Sequence, residues 1–228
     1  VDVLTFPDSP SGRTRIDSVL MAQKVKNVTG FEVMPHICCR DKNAIAMRST
    51  FLGASINDIN NFLIITGDPI PVMARQVVKS VFNFDSVGLM RIADEMNSEA
   101  LKDSPLTYGG AINQSRRRIE SEIKRVQKKM EAGAEFFLTQ PVFTAEDAER
   151  LRRVKEETGA RILCGIMPLV SRKNALFMKN EISGVNVTDE VIERYPENAD
   201  REDGENVGVE LAKEMIAATR DFADGYYF

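Results

Sequence analysis

The sequence predicts an α/β fold, specifically a (β/α)8 TIM barrel, because short apolar strands alternate with amphipathic helices along its 228 residues. The clearest strand, residues 62–66, is apolar on both faces, as expected of a parallel strand covered by helices. Seven strands are predicted in total, whereas a closed barrel of this kind has eight strands and roughly 250 residues. We therefore expect a single barrel domain over residues 1–228 that lacks one strand at an end and is a fragment of a longer polypeptide.

Four strands are predicted in the first half of the chain, at residues 1–6, 31–39, 62–66 and 106–112. Between the first two strands, one side of a helix is marked by Ile16, Val19, Leu20 and Gln23. Gly30 is predicted to end this helix. A long loop, residues 70–84, follows the third strand before the next helical pattern begins.

Three further strands are predicted in the second half, at residues 135–142, at 161–168 and starting near 226–228. The helix before them has apolar residues spaced as on one helical face: Ile119, Ile123, Val126 and Met130. Thr144 is predicted to begin the following helix and Gly159 to end it. Residues 193–206 are charged and predicted to be irregular. The last helix has a clear apolar stripe: Val207, Leu211, Met215, Ala218 and Phe222.

Composition excludes several classes of protein. A net charge of −4 gives no reason to expect binding to nucleic acid or to an anionic membrane. No apolar run approaches the roughly 20 residues that a membrane span requires. Three cysteines, of which Cys38 and Cys39 are adjacent, do not form a disulfide framework, so a cytoplasmic location is expected. A single histidine argues against the usual zinc sites, and no metal is expected.

The unusual residues lie where the predicted strands end: Thr5 and Asp8, His36 and Arg40, Thr66 to Asp68, Gly109 and Gly110, Gln140, and Met167 to Ser171. Because the carboxyl ends of barrel strands form one rim, we expect these residues to gather there, where such barrels place their chemistry.

The residues alone leave two interpretations open for each of three positions. Asp68 is either a functional carboxylate at the end of a buried strand or part of a Gly-Asp-Pro turn in which it bonds its own backbone. His36 is either a satisfied packing residue or a functional one. Gln140 either bonds a loop carbonyl or reads a ring that offers both donors and acceptors.

One helix and the loop before it are rich in positive charge: Arg116, Arg117, Arg118, Lys124, Arg125, Lys128 and Lys129. These side chains form a solvated face, or those on the rim side pair with a phosphate or pyrophosphate. No G-x-G-x-x-G or Walker sequence is present, which argues against a Rossmann or P-loop site.

Four motifs occur in a fixed order: P-H-I-C-C-R-D-K-N at 35–43, I-T-G-D-P at 65–69, E-A-G-A-E-F-F-L-T-Q-P-V-F at 131–143 and G-I-M-P-L-V-S-R-K-N-A at 165–175. Together they resemble the methylenetetrahydrofolate reductase family, and most closely the reductase half of bifunctional homocysteine methyltransferase–reductase chains. The resemblance extends over nearly the whole chain.

This resemblance implies a (β/α)8 barrel that holds FAD along its carboxyl-end rim. It implies an oxidoreductase of methionine biosynthesis and one-carbon metabolism, which reduces its flavin with NAD(P)H or another donor. Hydride then passes from the flavin to 5,10-methylenetetrahydrofolate and gives 5-methyltetrahydrofolate. The flavin performs this chemistry, while the protein supplies placement and electrostatics.

The resemblance also implies roles for individual residues. Asp68 matches the aspartate beside flavin and pterin, Gln140 matches the glutamine that binds folate, and Asn174 falls where another folate-contacting amide lies. Asp68 and Gln140 are therefore the candidate catalytic residues. Cofactor contacts are implied for a larger set: Thr5, His36, Thr66, Gly67, Asp68, Ile112, Asn113, Arg125, Lys128 and Lys129. Asp68 is suited to accept hydrogen bonds from pterin N–H groups and to stabilise a developing cation.

One departure from the family pattern concerns its proton-donating glutamate, which lies in an F-E-F-x-P-P-like segment on the first barrel strand. Nothing in this sequence matches that segment, and the segment after the last strand is also unmatched. The expected fold is therefore a barrel that lacks its first strand and C-terminal segment. A homo-oligomer or a fused methyltransferase domain is possible on this view.

Two alternatives remain beside the reductase. The first is a non-catalytic barrel or partner subunit that binds flavin or folate but has lost the catalytic acid. The second is a flavin-free pterin or corrinoid barrel that transfers methyl groups without a reductant. Fold alone does not decide between them.

Overall fold

The computed structural model describes residues 1–182, 184–197 and 200–228, in which strands and helices alternate as predicted. The strands are β1 Val3–Phe6, β2 Glu32–Cys38, β3 Asn61–Ile65, β4 Thr107–Ile112, β5 Phe136–Pro141, β6 Ile162–Gly165 and β7 Gly225–Tyr227. The helices are α1 Ser18–Thr29, α2 Ala44–Ser55, α3 Ser86–Ser98, α4 Ile119–Glu131, α5 Ala145–Thr158, α6 Arg172–Glu181, α7 Asp189–Glu193 and α8 Arg201–Thr219. Short 3₁₀ turns lie at Pro10–Gly12 and Val72–Ala74.

Polar side chains begin most of these helices by accepting hydrogen bonds from free backbone N–H groups. Asp17 accepts from two N–H groups at the start of α1, and Thr144 accepts from Asp147 at the start of α5. Gly30 and Gly159, with φ of 73° and 69°, end these two helices in the left-handed conformation. The predicted end of α1 and both predicted limits of α5 are therefore confirmed.

The strands lie in the sheet in chain order, β1 to β7, and each pairing with a described register is parallel. The predicted α/β class with seven parallel strands is confirmed for the described residues. The chain forms two compact units: the first comprises Val1–Gly110 and Lys128–Glu135, and the second comprises Ala111–Gln127 and Phe136–Phe228.

The core of the first unit forms where helices cover β2 and β3. Phe62 of β3 lies edge-on to Phe51 of α2, with ring centroids 5.2 Å apart, and both side chains are fully buried. Leu63 and Ile64 are also buried, so β3 is apolar on both faces as predicted. Because strand side chains alternate, Phe62 faces α2 and Leu63 faces the opposite side of the sheet.

The second unit has its own apolar core, to which α6, α7 and α8 contribute. It contains Phe143, Leu169, Ala175, Met178, Val187, Val191, Ile192, Tyr195 and Leu211. Helix α8 approaches the Leu169–Val170 backbone through two glycines one turn apart. A Cβ on Gly208 would lie 2.1 Å from the carbonyl oxygen of Leu169, and one on Gly204 would lie 2.4 Å from that of Val170.

The predicted face of α1 is partly wrong, although Val19 and Gln23 on that face are half-buried. Leu20 is 63% exposed and Ile16, just before the helix, is 66% exposed, whereas Ser18 and Ala22 are buried. These two small residues let the helix approach the sheet closely, and the Ser18 hydroxyl donates a 2.7 Å hydrogen bond to the backbone carbonyl of His36. The buried face of α1 therefore carries small residues and a polar contact to β2.

The predicted irregular segment 193–206 is partly wrong, because α8 begins at Arg201. Asp200 accepts a hydrogen bond from the Asp203 N–H at 2.8 Å and so begins the helix six residues before its apolar stripe. Residues 198–199 of this segment lie outside the described residues. Among the described helices, none is both long and apolar enough to cross a membrane.

Candidate functional site

In the first unit, the loops that follow β1, β2 and β3 meet around Arg40. This side chain is 2% exposed. Its Nη1 donates to the carbonyl oxygen of Asp68 at 3.1 Å and its Nη2 to that of Ser9 at 3.1 Å. Its Nε and Nη2 also form a bidentate pair with Asp41, at 2.9 and 2.6 Å. The predicted meeting of strand ends is therefore confirmed for these three strands.

Asp68 is oriented by a contact from outside its own turn. The backbone N–H of Ser11 donates to Oδ2 of Asp68 at 2.7 Å. Oδ1 accepts no hydrogen bond from the described part of the chain, and the residue is exposed. The interpretation of Asp68 as a residue that bonds only its own turn is therefore wrong.

The turn before Asp68 depends on Gly67, which has a φ of 92°, a conformation that favours glycine. A Cβ at this position would also lie 2.8 Å from the Cβ of Cys38. Glycine therefore lets the end of β3 pass close to the end of β2. Thr66, one residue earlier, accepts the Ser86 N–H on its hydroxyl at 3.2 Å and so fixes the start of α3.

His36 lies on the side of the sheet that faces away from α2. Its Cα partner in the β2–β3 register is Leu63, whose neighbour Phe62 packs against α2. Nε2 of His36 is buried and has no hydrogen-bond partner among the described residues. Burial lowers the pKa of His36 to about 4, so the ring is neutral near pH 7. The His36 side chain is therefore packed in the sheet, and one of its ring nitrogens is not satisfied within the described residues.

Thr5 occupies the middle of β1, where its Cα partner in β2 is Met34. Thr5 and His36 both lie on strands of the first unit, and alternation places Met34 and His36 on the same face of β2. The side chains of Thr5 and His36 therefore lie on the same side of the sheet.

Asp8, Cys38 and Asp41 place their side-chain oxygens and sulfur within 4.8 Å of one another. This group is already occupied by internal contacts. Oδ2 of Asp8 accepts the Cys38 N–H at 3.0 Å, and both carboxylate oxygens of Asp41 are bound by Arg40. Burial, with the nearby charge of Asp8, raises the pKa of Cys38 to about 12, which disfavours the thiolate that metals bind.

In the second unit, Gln140 lies at the end of β5, in a segment held by other side chains. Its N–H donates to Oε1 of Gln114 at 3.2 Å, and its carbonyl oxygen accepts from Nε2 of Gln114 at 3.0 Å. The hydroxyl of Thr139 donates to the same carbonyl at 2.7 Å. The amide of the Gln140 side chain makes no hydrogen bond to the described residues, so it is free to bind a ligand.

Asn113 lies beside Gln140 in this unit. A Cβ on Gly184 would lie 2.9 Å from Nδ2 of Asn113 and 4.0 Å from Cδ of Gln140. The backbone N–H of Asn113 donates to Oε1 of Glu122 at 2.9 Å, and its own Oδ1 accepts the Ser115 N–H at 3.0 Å. The structure therefore places two of the predicted site residues, Asn113 and Gln140, close to Gly184.

The charged residues of α4 have different surroundings. Glu122 is 2% exposed, and its Oε2 lies 3.0 Å from Nε of Arg116 and 3.7 Å from Nε of Arg125, ion pairs without hydrogen-bond alignment. Arg125 is therefore already paired. Lys128 is exposed, whereas Lys129 is only 4% exposed.

Two further predicted residues have clear local roles. Ile112, the last residue of β4, is fully buried. Oδ1 of Asn174 accepts the Val170 N–H at 3.2 Å, and its own N–H donates to the hydroxyl of Ser171, which begins α6. The structure does not group Asn174 with Gln140 or Asn113 by any direct hydrogen bond among the described residues.

Sequence reasoning missed two residues that organise these sites. Arg40 was noted only as a residue at a strand end, and Gln114 was not singled out. A signal existed for both, since each is a long polar residue two positions after a buried strand. Burial was not predictable from the pattern, because arginine and glutamine are usually exposed.

Solved structures with a similar fold are found among lyases and mutases. The chain aligns with 2,3-dimethylmalate lyase, a PEP mutase/isocitrate lyase superfamily member, in two crystal forms. The TM-scores are 0.51 and 0.52 at 14% and 13% identity, covering 93% and 96% of this chain and 66% and 70% of the other. A putative lyase/mutase from Burkholderia cenocepacia J2315 aligns with a TM-score of 0.53 at 16% identity, over 85% of this chain and 83% of that one. These likenesses concern the fold alone and define an α/β protein of the TIM-barrel type.

A family model identifies the chain more narrowly. The model for methylenetetrahydrofolate reductase matches residues 3–223, so the chain belongs to this family. A curated relative, 5,10-methylenetetrahydrofolate reductase of Salmonella typhimurium, is 24% identical over 174 residues, which is 75% of this chain and 55% of the relative. The chain thus spans about half the length of the curated relative it matches. The predicted family is confirmed.

Proposed function

We propose that this chain carries the flavin-dependent reduction of 5,10-methylenetetrahydrofolate to 5-methyltetrahydrofolate. The observation that carries the proposal is the family match over residues 3–223, combined with a carboxylate, Asp68, just beyond the carboxyl end of the buried strand β3. Barrel enzymes place their chemistry at such strand ends.

The first unit contains a group that fits a bound flavin. Nε2 of His36 is buried without a partner among the described residues, and a buried polar atom of this kind is costly unless a ligand or water satisfies it. At its low pKa the neutral ring offers one donor and one acceptor. Bound FAD would supply the hydride, after reduction by NAD(P)H or another donor.

Several other residues are proposed to hold the cofactor. The ammonium group of Lys128 is exposed and suits a phosphate oxygen. Roles in binding FAD are also proposed for the remaining members of the predicted set: Thr5, Thr66, Gly67, Ile112, Asn113, Arg125 and Lys129.

Asp68 is proposed to act on the folate. Its carboxylate is oriented by the Ser11 N–H through Oδ2, while Oδ1 stays available as an acceptor. Such a carboxylate binds pterin N–H groups and stabilises positive charge that develops as the methylene bridge opens to an iminium ion. Because the backbone already fixes the side chain, little reorganisation is needed when the charge develops.

Gln140 and Asn174 are proposed to bind the folate through their amide groups. The backbone of Gln140 is fully hydrogen-bonded, so its side-chain amide is the part that remains to read donors and acceptors on a ring. Asn174 uses its oxygen locally and retains its Nδ2 as a donor.

The test uses the purified chain and FAD. We expect a yellow protein whose flavin is reduced anaerobically by NAD(P)H or by dithionite and is reoxidised when methylenetetrahydrofolate is added. The proposal is contradicted if the protein takes up no FAD. It is also contradicted if methylenetetrahydrofolate does not reoxidise the reduced flavin. Methyl transfer without any reductant would instead indicate a methyl-transfer barrel.

A further inference from the structure

The end of β5 contains a β-bulge that includes Gln140, the folate residue proposed above. Leu138 pairs with Leu163, and Pro141 pairs with Gly165. Three steps along β5 thus correspond to two steps along β6, so one residue of β5 is extra. A bulge of this kind leaves backbone groups without ladder partners and re-aims a side chain. Gln140 lies inside it.

The side chain of Gln114 replaces the missing ladder partner. Its Oε1 accepts the Gln140 N–H at 3.2 Å, and its Nε2 donates to the carbonyl oxygens of Gln140 at 3.0 Å and of Pro141 at 3.3 Å. Both ends of the amide are used, which fixes its orientation. Gln114 is fully buried, so water does not compete for these bonds.

Further contacts hold the bulge from the other side. The hydroxyl of Thr139 accepts the Gly165 N–H at 2.9 Å and donates to the carbonyl of Gln140. The hydroxyl of Tyr227 donates to the carbonyl of Thr139. Pro141 adds to the restriction, since a residue before proline is confined to extended conformations.

Gln114 is itself held in place. Nη1 of Arg150 donates to the carbonyl oxygens of Gln114 at 3.1 Å and of Arg116 at 2.7 Å, and the same guanidinium pairs with Glu146 at 3.0 Å. The segment after β4 is therefore fixed to α5, and this anchoring reaches Gln140 through the Gln114 amide.

We propose that Gln114 is a positioning residue for folate binding, which acts by fixing the bulge from which the Gln140 side chain projects. This inference rests on the proposed function. We call the contacts of the Gln114 amide with the Gln140 backbone the clamp. Without the clamp, the backbone of Gln140 is free to move, and ordering the Gln140 amide when folate binds costs free energy. The effect therefore falls on folate binding and not on uptake or reduction of the flavin.

The test is a double-mutant cycle with the flavin-loaded protein. The variants are Gln114→Met, which keeps the length of the side chain but removes its hydrogen bonds, Gln140→Ala, and the two combined. We expect Gln114→Met to raise the KM for methylenetetrahydrofolate about tenfold. This change corresponds to a loss of roughly 1.4 kcal/mol in the free energy of folate binding. The rate of flavin reduction is expected to stay as in the parent. In the Gln140→Ala background the same change is expected to alter KM by less than about twofold.

Each other outcome overturns the inference. An equal fold-change in both backgrounds shows that Gln114 acts without Gln140. If Gln140→Ala leaves the folate kinetics unchanged, the role of Gln140 in folate binding and the positioning role of Gln114 are both contradicted. If the parent protein reduces no folate, the proposed function itself has failed. Gln127→Met, on an exposed residue of α4, is the matched control and is expected to change nothing.

If Gln114→Met does not fold, Gln114→Asn replaces it, because it keeps a neutral amide that is one methylene too short to bind the Gln140 backbone. Amide hydrogen exchange at Gln140 gives a second readout. We expect faster exchange at Gln140 in either variant than in the parent. Unchanged exchange in the variant that folds contradicts the clamp.

Discussion

The backbone N–H of Ser11 donates a 2.7 Å hydrogen bond to Oδ2 of Asp68, 57 positions further along the chain. Arg40 binds the carbonyl oxygen of the same aspartate. Asp68 is thus held at its side chain by the loop after β1 and at its backbone by Arg40 in the loop after β2. An exposed carboxylate that would otherwise sample several rotamers is oriented before any ligand binds.

Substitution of Asp68 by Asn is expected to remove most folate reduction while the protein keeps its fold. Asn retains an oxygen that accepts the Ser11 N–H but loses the negative charge that stabilises a developing cation. We expect the reoxidation of reduced flavin by methylenetetrahydrofolate to slow about 10²- to 10³-fold, the usual cost of one preorganised electrostatic contact. Stopped-flow absorbance of the flavin measures this rate.

The matched control for this prediction is Asp103→Asn, because Asp103 is an exposed aspartate in the same unit. It is expected to reoxidise at the parent rate. A similar slowing in both variants would mean that overall charge, and not the position of Asp68, controls the reaction.

Arg40→Met is expected to destabilise the protein by about 2–4 kcal/mol. The variant loses four hydrogen bonds to Ser9, Asp41 and Asp68, each contributing roughly 0.5–1.5 kcal/mol, and part of this loss is offset because Asp41 is solvated. Urea unfolding measures the change. Arg91→Met, on an exposed residue of α3, is expected to lie within about 0.5 kcal/mol of the parent. An Arg40→Met protein with the same free energy of unfolding as the parent would contradict the role of Arg40 as the link between three loops.

His36 is expected to make the flavin-free protein less stable in mild acid. Its pKa falls from 6.5 to about 4 on folding because burial disfavours the charged ring. The unfolded chain therefore binds more protons between these values. The stability that the neutral ring contributes is fully present above about pH 6.5 and is lost as the pH falls towards about 4. The total loss from this group is roughly 3 kcal/mol.

His36→Gln separates this effect from acid unfolding in general. Glutamine does not titrate, so the variant is expected to lose roughly 3 kcal/mol less stability than the parent between about pH 7 and pH 4. Urea unfolding at several pH values checks the difference. If the free energy of unfolding falls equally with pH in the two proteins, His36 is not buried as a neutral ring.

Two glycine substitutions are expected to have opposite signs. Gly208→Ala places a Cβ 2.1 Å from the carbonyl oxygen of Leu169, so α8 must shift, at a cost of about 1–3 kcal/mol. Gly53 lies inside α2, where a Cβ meets nothing within 4 Å. Gly53→Ala is therefore expected to stabilise the protein by about 0.5–1 kcal/mol. Thermal unfolding gives both signs, and equal effects would contradict the close approach of α8.

Sequence patterns predicted much of the fold because the relevant signals are local. The buried strand around Leu63 and the capped helix between Thr144 and Gly159 were both predicted close to their observed limits. The helix that carries Leu20 differs from the prediction, because its buried face holds the small residues Ser18 and Ala22 and a hydrogen bond from Ser18. Periodicity reports apolar spacing and not such polar contacts.

By itself, the sequence determined the α/β class, the family and the identity of the residues at the strand ends, since each of these depends on the order of residue types along the chain. Only the tertiary structure decided how those residues are held. The bond from Ser11 to Asp68, the buried guanidinium of Arg40 and the clamp of Gln114 on Gln140 join segments far apart in sequence. Such contacts depend on which strand ends are neighbours in space, and no local pattern records that.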